Sequence, residues 1–286
     1  MRNKTLSKMV TDKKFRRSTL FAFFLTCGIS IFTIPLLLPD PIKLIYRIAV
    51  CIIFFTSALL IRRKTYLAKF LPLIFAFFIS SIVTIFEYFL YSNQSLLYWI
   101  SPSRMDLTIL FKVLSSLIVI IPIVFLTKVT KKDLGSIYLR KGKLKLGLTI
   151  GIILFLFFLA TSVWTSTLLY EGKNLTFNKL IAWIPWILIF VFSNGVKEEI
   201  QFRGLFLEKY ETLLGVDQSN LLQSMIFTLS HIGETYSPVM ILFLFIVFLL
   251  GLAFGGVIQK TDSLIGSILF HAGTDIPVIL GIFSNF

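Results

Sequence analysis

The chain has 286 residues, of which 56% are hydrophobic and 15% are charged, whereas an average soluble domain carries about 25% charged residues. This composition excludes a water-soluble globule, and the 15% of aromatic residues excludes a disordered chain. A formal net charge of +14 would suggest nucleic acid in a soluble protein. Here the basic residues separate long apolar runs, so we expect a lipid bilayer as the partner and no nucleic acid.

Nine apolar stretches approach the length of roughly 20 residues that a helix needs to cross a bilayer. They are residues 18–39, 42–61, 70–91, 107–127, 147–169, 180–196, 219–233, 237–259 and 263–283. Because residues 219–233 are short for a full crossing, the sequence predicts eight or nine spans. The expected fold class is all-α, a polytopic transmembrane helix bundle.

Basic residues fall into three clusters, at residues 1–17, 62–69 and 128–145, which hold seven, four and seven of the 28 Lys and Arg residues. The loops that alternate with these clusters carry few charges. Under the positive-inside rule, this pattern predicts a cytoplasmic N-terminus. We therefore expect a multi-pass protein of the cell membrane, and the abundance of Lys, Ile and Phe is typical of a bacterium with low GC content.

The stretch 128–146 also divides the chain. We predict a basic cytoplasmic N-terminal segment at 1–17, N-terminal transmembrane helices at 18–145 and a distinct core at 146–286. The reason is that almost every unusual polar residue follows this stretch.

The first polar cluster continues the apolar helix 181–192 and includes Asn194, Glu198, Glu199 and Arg203. Ionisable groups at membrane depth are energetically expensive and therefore point to function. Glu199 and Arg203 are four residues apart, so they can pair along one helix face and leave Glu198 available for chemistry. Asn194 precedes Glu198 by one turn on the same face. The alternative interpretation of this cluster is an interfacial helix end decorated with ion pairs.

The chain has only two histidines, and both lie in apolar predicted helices downstream of the acidic pair. His231 ends the sequence F-T-L-S-H, and His271 is followed four residues later by Asp275, on the same helix face. Either histidine alone is more typical of a satisfied core residue. With the acidic cluster they predict one hydrated site, because polar groups inside a membrane are tolerated where they face one another across a wet cavity.

A carboxylate beside an imidazole in such a cavity can activate water for attack on a peptide carbonyl. The oxyanion that forms needs positioned donors, and no Ser or Cys stands in a recognisable nucleophile motif. A rival arrangement is a divalent metal such as zinc, with Glu198, His231, His271 and Asp275 as candidate ligands. The sequence leaves both open, so the expected cofactor is either none or such a metal.

Three motifs in this order resemble the CPBP family of CAAX prenyl proteases and bacteriocin-processing enzymes, also called the Abi family. They are E-E-I-Q-F-R-G at 198–204, F-T-L-S-H at 227–231 and H-A-G-T-D at 271–275. The likeness covers roughly residues 180–283, and it identifies the predicted core at 146–286 as a CPBP-like protease core. It implies an intramembrane endopeptidase with a C-terminal catalytic helical core and a cavity open toward the cytoplasm.

The resemblance also implies a role for each motif residue. Glu198 would activate water with His231 as its partner, and His271 and Asp275 would stabilise the oxyanion. Glu199 and Arg203 would be structural or substrate-orienting, as Asn194 would be by its position. The family often has Asn where Asp275 stands, and an ionised Asp cannot donate to an oxyanion, which leaves the role of Asp275 open. The substrate would be a peptide or a membrane protein.

Two other functions remain compatible with the sequence. One is a non-catalytic bacteriocin-immunity or regulatory membrane protein on the same scaffold. The other is a proton-coupled transporter, since Glu and His in a bundle can relay protons, although such transporters usually have polar sites in two matching halves. Glu87 and Lys112, in the N-terminal half, lie near predicted helix ends and are expected to snorkel or to be paired.

Overall fold

The computed structural model describes residues 2–92, 105–233 and 237–284, with side chains from Arg16 onward in the first range. Within these ranges the chain is helical and forms no strand, which confirms the predicted all-α bundle. The helices are α1 (Arg2–Phe32), α2 (Ile34–Leu37), α3 (Ile42–Arg62), α4 (Leu71–Ser92), α5 (Met105–Val129), α6 (Leu144–Leu169), α7 (Phe177–Glu198), α8 (Leu207–Leu214), α9 (Val216–Leu229), α10 (Met240–Thr261) and α11 (Ile265–Phe283). A π-helical segment, Glu199–Gly204, joins α7 to α8.

Seven helical segments of the described chain are long and apolar enough to cross a membrane, so the predicted count of eight or nine is wrong. The stretch 219–233 contains α9, which has 14 residues and ends at Leu229. The stretch 18–39 is divided at Thr33, where α1 ends and the short helix α2, which contains Pro35, begins. This stretch is not among the seven segments. Apolar composition alone overcounts spans because it does not register where a helix breaks or stops.

Helices α6 and α11 approach each other closely through glycines. A Cβ atom added to Gly266 would lie 2.7 Å from the carbonyl oxygen of Gly147, and one added to Gly273 would lie 2.8 Å from Cα of Phe155. Small residues at helix crossings let the backbones meet and increase van der Waals contact, which is the main driving force for association in lipid. This crossing fixes the position of α11, which carries His271 and Asp275.

The main hydrophobic core joins the N-terminal and C-terminal parts of the chain. Phe77 of α4 lies 5.2 Å from Phe206, which precedes α8, and Phe206 stacks on Tyr210 at 5.6 Å between ring centroids. Phe24 of α1 packs on Tyr210 at 5.8 Å. Such aromatic pairs add about 0.5–1.5 kcal/mol each beyond the apolar area that they bury. They hold the segment after Glu198 against the first helices.

The two ends of the bundle differ in charge. Loop residues of 62–69 and 128–137 border one cavity, and Arg140 pairs with Asp262 in the turn between α10 and α11. We call the end formed by residues 62–69, 128–145 and 261–264 the basic end. Because the long helices alternate in direction, residues 39–42, 91–92 and 169–177 lie at the opposite end.

Candidate active site

Glu198 is the last residue of α7, where the backbone changes to a π-helix. Its Oε2 atom lies 3.5 Å from Nε2 of His271 and 3.9 Å from Nε2 of His231. This oxygen is buried and has no hydrogen-bond partner among the described residues. A carboxylate oxygen held between two imidazoles without a direct hydrogen bond leaves space for a water molecule to bridge these groups.

Glu199, the next residue, is fully buried and fully bonded. Its Oε1 accepts hydrogen bonds from Nη1 of Arg203 at 2.9 Å and from Nδ1 of His271 at 2.8 Å. Its Oε2 accepts one from Oγ of Ser267 at 2.6 Å. π-Helical turns recur at functional sites, and this one begins at Glu199 and ends just beyond Arg203. The two adjacent glutamates therefore differ in kind. The carboxylate of Glu199 is fully hydrogen-bonded by protein, whereas that of Glu198 lines two cavities and has its ionic partners at 3.5–3.9 Å.

Arg203 is buried among aromatic rings. Its guanidinium carbon lies 3.9 Å from the ring centroid of Phe227 and 5.2 Å from that of Phe254. Phe254 also stacks on His271, with 4.6 Å between centroids and an angle of 9° between the planes. Cation–π contacts of this kind contribute on the order of 1–2 kcal/mol when the cation is desolvated. The Glu199–Arg203 pair thus anchors the rings that hold His271 in place.

His231 lies in the turn that follows α9, a helix too short to cross the bundle. Its Nδ1 atom is 2.8 Å from the carbonyl oxygen of Phe227. A carbonyl can only accept, so Nδ1 carries a proton and donates to it. The other ring nitrogen, Nε2, faces Oε2 of Glu198 at 3.9 Å.

His271 and Asp275 lie near the middle of α11. At a rise of 1.5 Å per residue, His271 is about 9 Å from the start of the helix and Asp275 is about 12 Å from its end. Oδ1 of Asp275 is 3.7 Å from Nε2 of His271. The other oxygen, Oδ2, accepts a hydrogen bond from Nδ2 of Asn194 at 2.9 Å. Oδ1 of Asn194 in turn accepts from Nζ of Lys112 at 2.9 Å, so the side chain of Asn194 connects Asp275 with Lys112.

The N-terminal half also brings polar residues to the site, among them Lys112 and Glu87. Oε1 of Glu87 lies 3.9 Å from Nζ of Lys197. Lys112 also lies 4.6 Å above the ring of Phe190. Both residues are paired, which is one of the two outcomes that the sequence led us to expect for them. The sequence does show that Glu87 and Lys112 are charged residues inside apolar stretches. It could not show which other helix each of them would contact.

Two cavities meet at Glu198 and His231. The smaller, of about 140 Å³, is also lined by His271, Asp275 and Tyr170. The larger, of about 340 Å³, extends to residues that include Asp40, Lys43 and Ser92. Both cavities therefore reach the end of the bundle opposite the basic end.

Tyr170 follows the last residue of α6 and closes the smaller cavity at that end. Burial, with a further contribution from the charge of Asp275, raises the pKa of Tyr170 to about 12. Its hydroxyl consequently stays protonated at neutral pH and can donate a hydrogen bond into the cavity.

A metal site requires several ligand atoms placed around one point. In a zinc site each ligand atom lies about 2.0–2.2 Å from the metal. Across residues 2–92, 105–233 and 237–284, no group of three or more His, Cys, Asp or Glu side chains is arranged to hold a metal ion. Glu198, His231, His271 and Asp275 thus do not fit a ready metal site, and Asp275 is instead engaged by Asn194.

The structure therefore brings together all seven residues singled out in the sequence. They are Asn194, Glu198, Glu199, Arg203, His231, His271 and Asp275. Their assignment as catalytic or orienting groups remains a prediction. Comparison with known proteins adds independent information about this segment.

No curated protein and no solved structure matches the chain. A family model does match, and it covers residues 180–277, which contain the three motifs. This family is described as type II CAAX prenyl endopeptidase, Rce1-like, and the match confirms the resemblance to the CAAX protease family that the motifs predicted.

Proposed function

We propose that this protein is an intramembrane endopeptidase that hydrolyses a peptide bond in a peptide or membrane-protein substrate. The observation that carries the proposal is the Glu198 carboxylate, which lies within 3.9 Å of two imidazole nitrogens at a cavity inside the bundle. The family matched by residues 180–277 is a protease family, which supports hydrolysis in general.

The proposed first step is deprotonation of a water molecule bound between Glu198 and His231. The lone pair on Nε2 of His231, fixed by the hydrogen bond to Phe227, and the free oxygen of Glu198 share the proton that this water releases. The resulting hydroxide attacks the carbonyl carbon of the scissile bond. The proton then passes to the leaving amine when the carbon–nitrogen bond breaks, so one water is consumed for each bond cleaved.

His271 is proposed to stabilise the oxyanion formed in that step. Glu199 accepts from Nδ1 of this ring, and an imidazolium held in this way carries a proton on Nε2 that can be donated to the oxyanion. Asp275 is proposed to orient the same ring from a distance of 3.7 Å. It is itself held by Asn194 and Lys112, and this role does not require Asp275 to donate a hydrogen bond.

The test is a comparison of new protein N-termini in membranes from cells that carry wild-type protein or Glu198→Gln. The proposal predicts that a set of cleavage products disappears in this variant and in His231→Ala and His271→Ala. Glu171→Gln, which changes an exposed glutamate outside the site, is the matched control and should retain them. Retention of every product in all three site variants would contradict the proposal.

A non-catalytic immunity or regulatory protein on the same scaffold makes the opposite prediction. Its phenotype would survive Glu198→Gln as long as the protein stays folded in the membrane. The same set of variants therefore separates the two functions, provided that membrane levels are compared by immunoblot.

For orientation, we propose that the basic end faces the cytoplasm of a bacterial cell. The N-terminus is proposed to lie on the same side, because residues 39–42, which follow α1 and α2, lie at the opposite end, although α1 and α2 are not among the seven apolar segments. Three clusters with eighteen of the 28 basic residues support this orientation. Both cavities at Glu198 reach the opposite end, so a substrate would enter from the non-cytoplasmic side. The family resemblance implies that the cavity opens toward the cytoplasm, whereas the charge pattern favours an opening on the other side of the membrane.

Cysteine labelling decides between the two orientations. Glu171→Cys lies near the cavity end and Lys141→Cys lies at the basic end, each in a background with Cys27→Ser and Cys51→Ser. A membrane-impermeant maleimide applied to spheroplasts should label the cysteine at 171 and spare the one at 141. Labelling of 141 alone would mean that the cavities face the cytoplasm.

A further inference from the structure

Another, larger cavity lies away from Glu198, at the basic end. It has a volume of about 920 Å³ and is bordered by α3, α4, the end of α5 and α8. This volume is within the range of about 300–1,000 Å³ that is typical of small-molecule sites. None of the seven residues of the candidate active site lines it.

The interior of this cavity is apolar and its rim is cationic. Apolar lining residues include Phe55, Leu59, Phe75, Ala76 and Ile79. The charged lining residues are Arg62, Lys69, Lys131, Lys132, Lys209 and Glu208. The positive charges at the rim match the phosphate headgroup of an anionic phospholipid, and the apolar interior matches its acyl chains.

The rim cations are available to a ligand. Arg62, Lys69, Lys131 and Lys132 are exposed, and none of them forms an ion pair with a described acidic residue. Lys209 donates a hydrogen bond to the carbonyl oxygen of Ser136, and Glu208 lies 3.6 Å from Arg140. Glu208, the one acid among the described lining residues, is thus already paired with a cation outside the rim.

We propose that this cavity binds an anionic phospholipid from the leaflet at the basic end. Its acyl chains would lie between α3 and α4, and its phosphate would contact Arg62, Lys131 and Lys132. Basic pockets between transmembrane helices bind anionic headgroups in this way. The N-terminal segment 1–17 is a poor alternative occupant, because it carries seven basic residues and would be repelled by the rim.

The proposal does not depend on protease activity and is tested by binding. Purified full-length protein in a mild detergent is titrated with phosphatidylglycerol or with phosphatidylcholine that has the same acyl chains. Native mass spectrometry measures retained lipid, and tryptophan fluorescence measures thermal unfolding. We expect phosphatidylglycerol to bind at least tenfold more tightly and to raise the unfolding midpoint, with an effect that weakens as salt is added.

Charge variants locate the site. A triple variant, Arg62→Gln with Lys131→Gln and Lys132→Gln, should reduce the affinity for phosphatidylglycerol to that for phosphatidylcholine. The matched control replaces three exposed lysines of the same end that do not line the cavity. These lysines are Lys141, Lys143 and Lys145. The control should retain the preference, and equal loss in both triple variants would overturn the site in favour of general surface attraction.

Two further probes separate a lipid from a free anion. Inorganic phosphate at the same concentration should not stabilise the protein, because it leaves the apolar part of the cavity empty. Ala68→Phe adds a ring from an exposed residue of the lining and should weaken phosphatidylglycerol binding without a change in charge. Full stabilisation by phosphate, or equal binding of the two lipids by the wild type, would contradict the proposal.

Discussion

Replacing each of the two adjacent glutamates by glutamine should separate a residue that stabilises the fold from a residue that reacts. Glu199 accepts hydrogen bonds from Arg203, His271 and Ser267 and is fully buried. Glu199→Gln removes the negative charge that balances Arg203. The new amide group also directs N–H hydrogens at side chains that are themselves hydrogen-bond donors, so these hydrogen bonds are lost. Glu198→Gln removes the charge from an oxygen that has no hydrogen-bond partner among the described residues.

The expected sizes of the two effects differ. Loss of one member of a buried ion pair typically costs about 3–5 kcal/mol, because the remaining charge is left uncompensated. Nε and Nη2 of Arg203 already lack hydrogen-bond partners among the described residues, so only the contacts with Phe227 and Phe254 would hold it. For Glu198→Gln we expect a smaller change, since Oε2 loses no protein hydrogen bond and Lys197, which lies 3.8 Å from Oε1, keeps Glu87 as a second acidic partner.

Thermal unfolding of the purified variants, followed by tryptophan fluorescence, measures this difference. Glu199→Gln should lower the midpoint on the order of 10 °C, and Glu198→Gln should lower it less. Glu199→Asp, which keeps the charge on a shorter side chain, should fall between the two. If Glu198→Gln destabilises the protein as much as Glu199→Gln, the proposed division of roles between these residues is wrong.

Three other predictions follow from the site and the bundle. Lys112→Met removes the cation that donates a hydrogen bond to Asn194. It should lower the yield of cleavage products about tenfold or more, because a hydrogen bond to a charged group contributes about 1.5–3 kcal/mol. Rescue of cleavage by Lys112→Arg would show that Lys112 positions Asn194 and is not needed only for folding. Gly266→Ala should lower the unfolding midpoint by forcing a methyl group against the backbone of α6, whereas Gly256→Ala, which meets no atom within 4 Å, should not. Tyr170→Phe should lower the cleavage rate without shifting its pH profile near neutrality, since the pKa of this phenol is raised to about 12; a shift of that profile would contradict the inference that the phenol stays protonated.

Local sequence was sufficient to predict the class of the fold and the family. Long apolar stretches specify helices wherever the chain is in lipid, because every backbone group must be satisfied inside its own segment. The three motifs of residues 198–204, 227–231 and 271–275 predicted the family that the match over residues 180–277 confirms. The count of spans was wrong because it also depends on where helices end, as at Thr33 and after Leu229.

The meeting of side chains from different helices was decided by tertiary structure alone. Spacing along the chain showed that Glu199 and Arg203 can pair, but not that Ser267 and His271 complete the hydrogen bonds of Glu199. It also could not show that Oε2 of Glu198 has no hydrogen-bond partner among the described residues. Nor could it show that Lys112 reaches Asn194, 82 residues away in sequence. Such contacts depend on how packed helices are rotated and how far they are shifted along one another. Hydropathy and periodicity describe only the helix in which each residue lies.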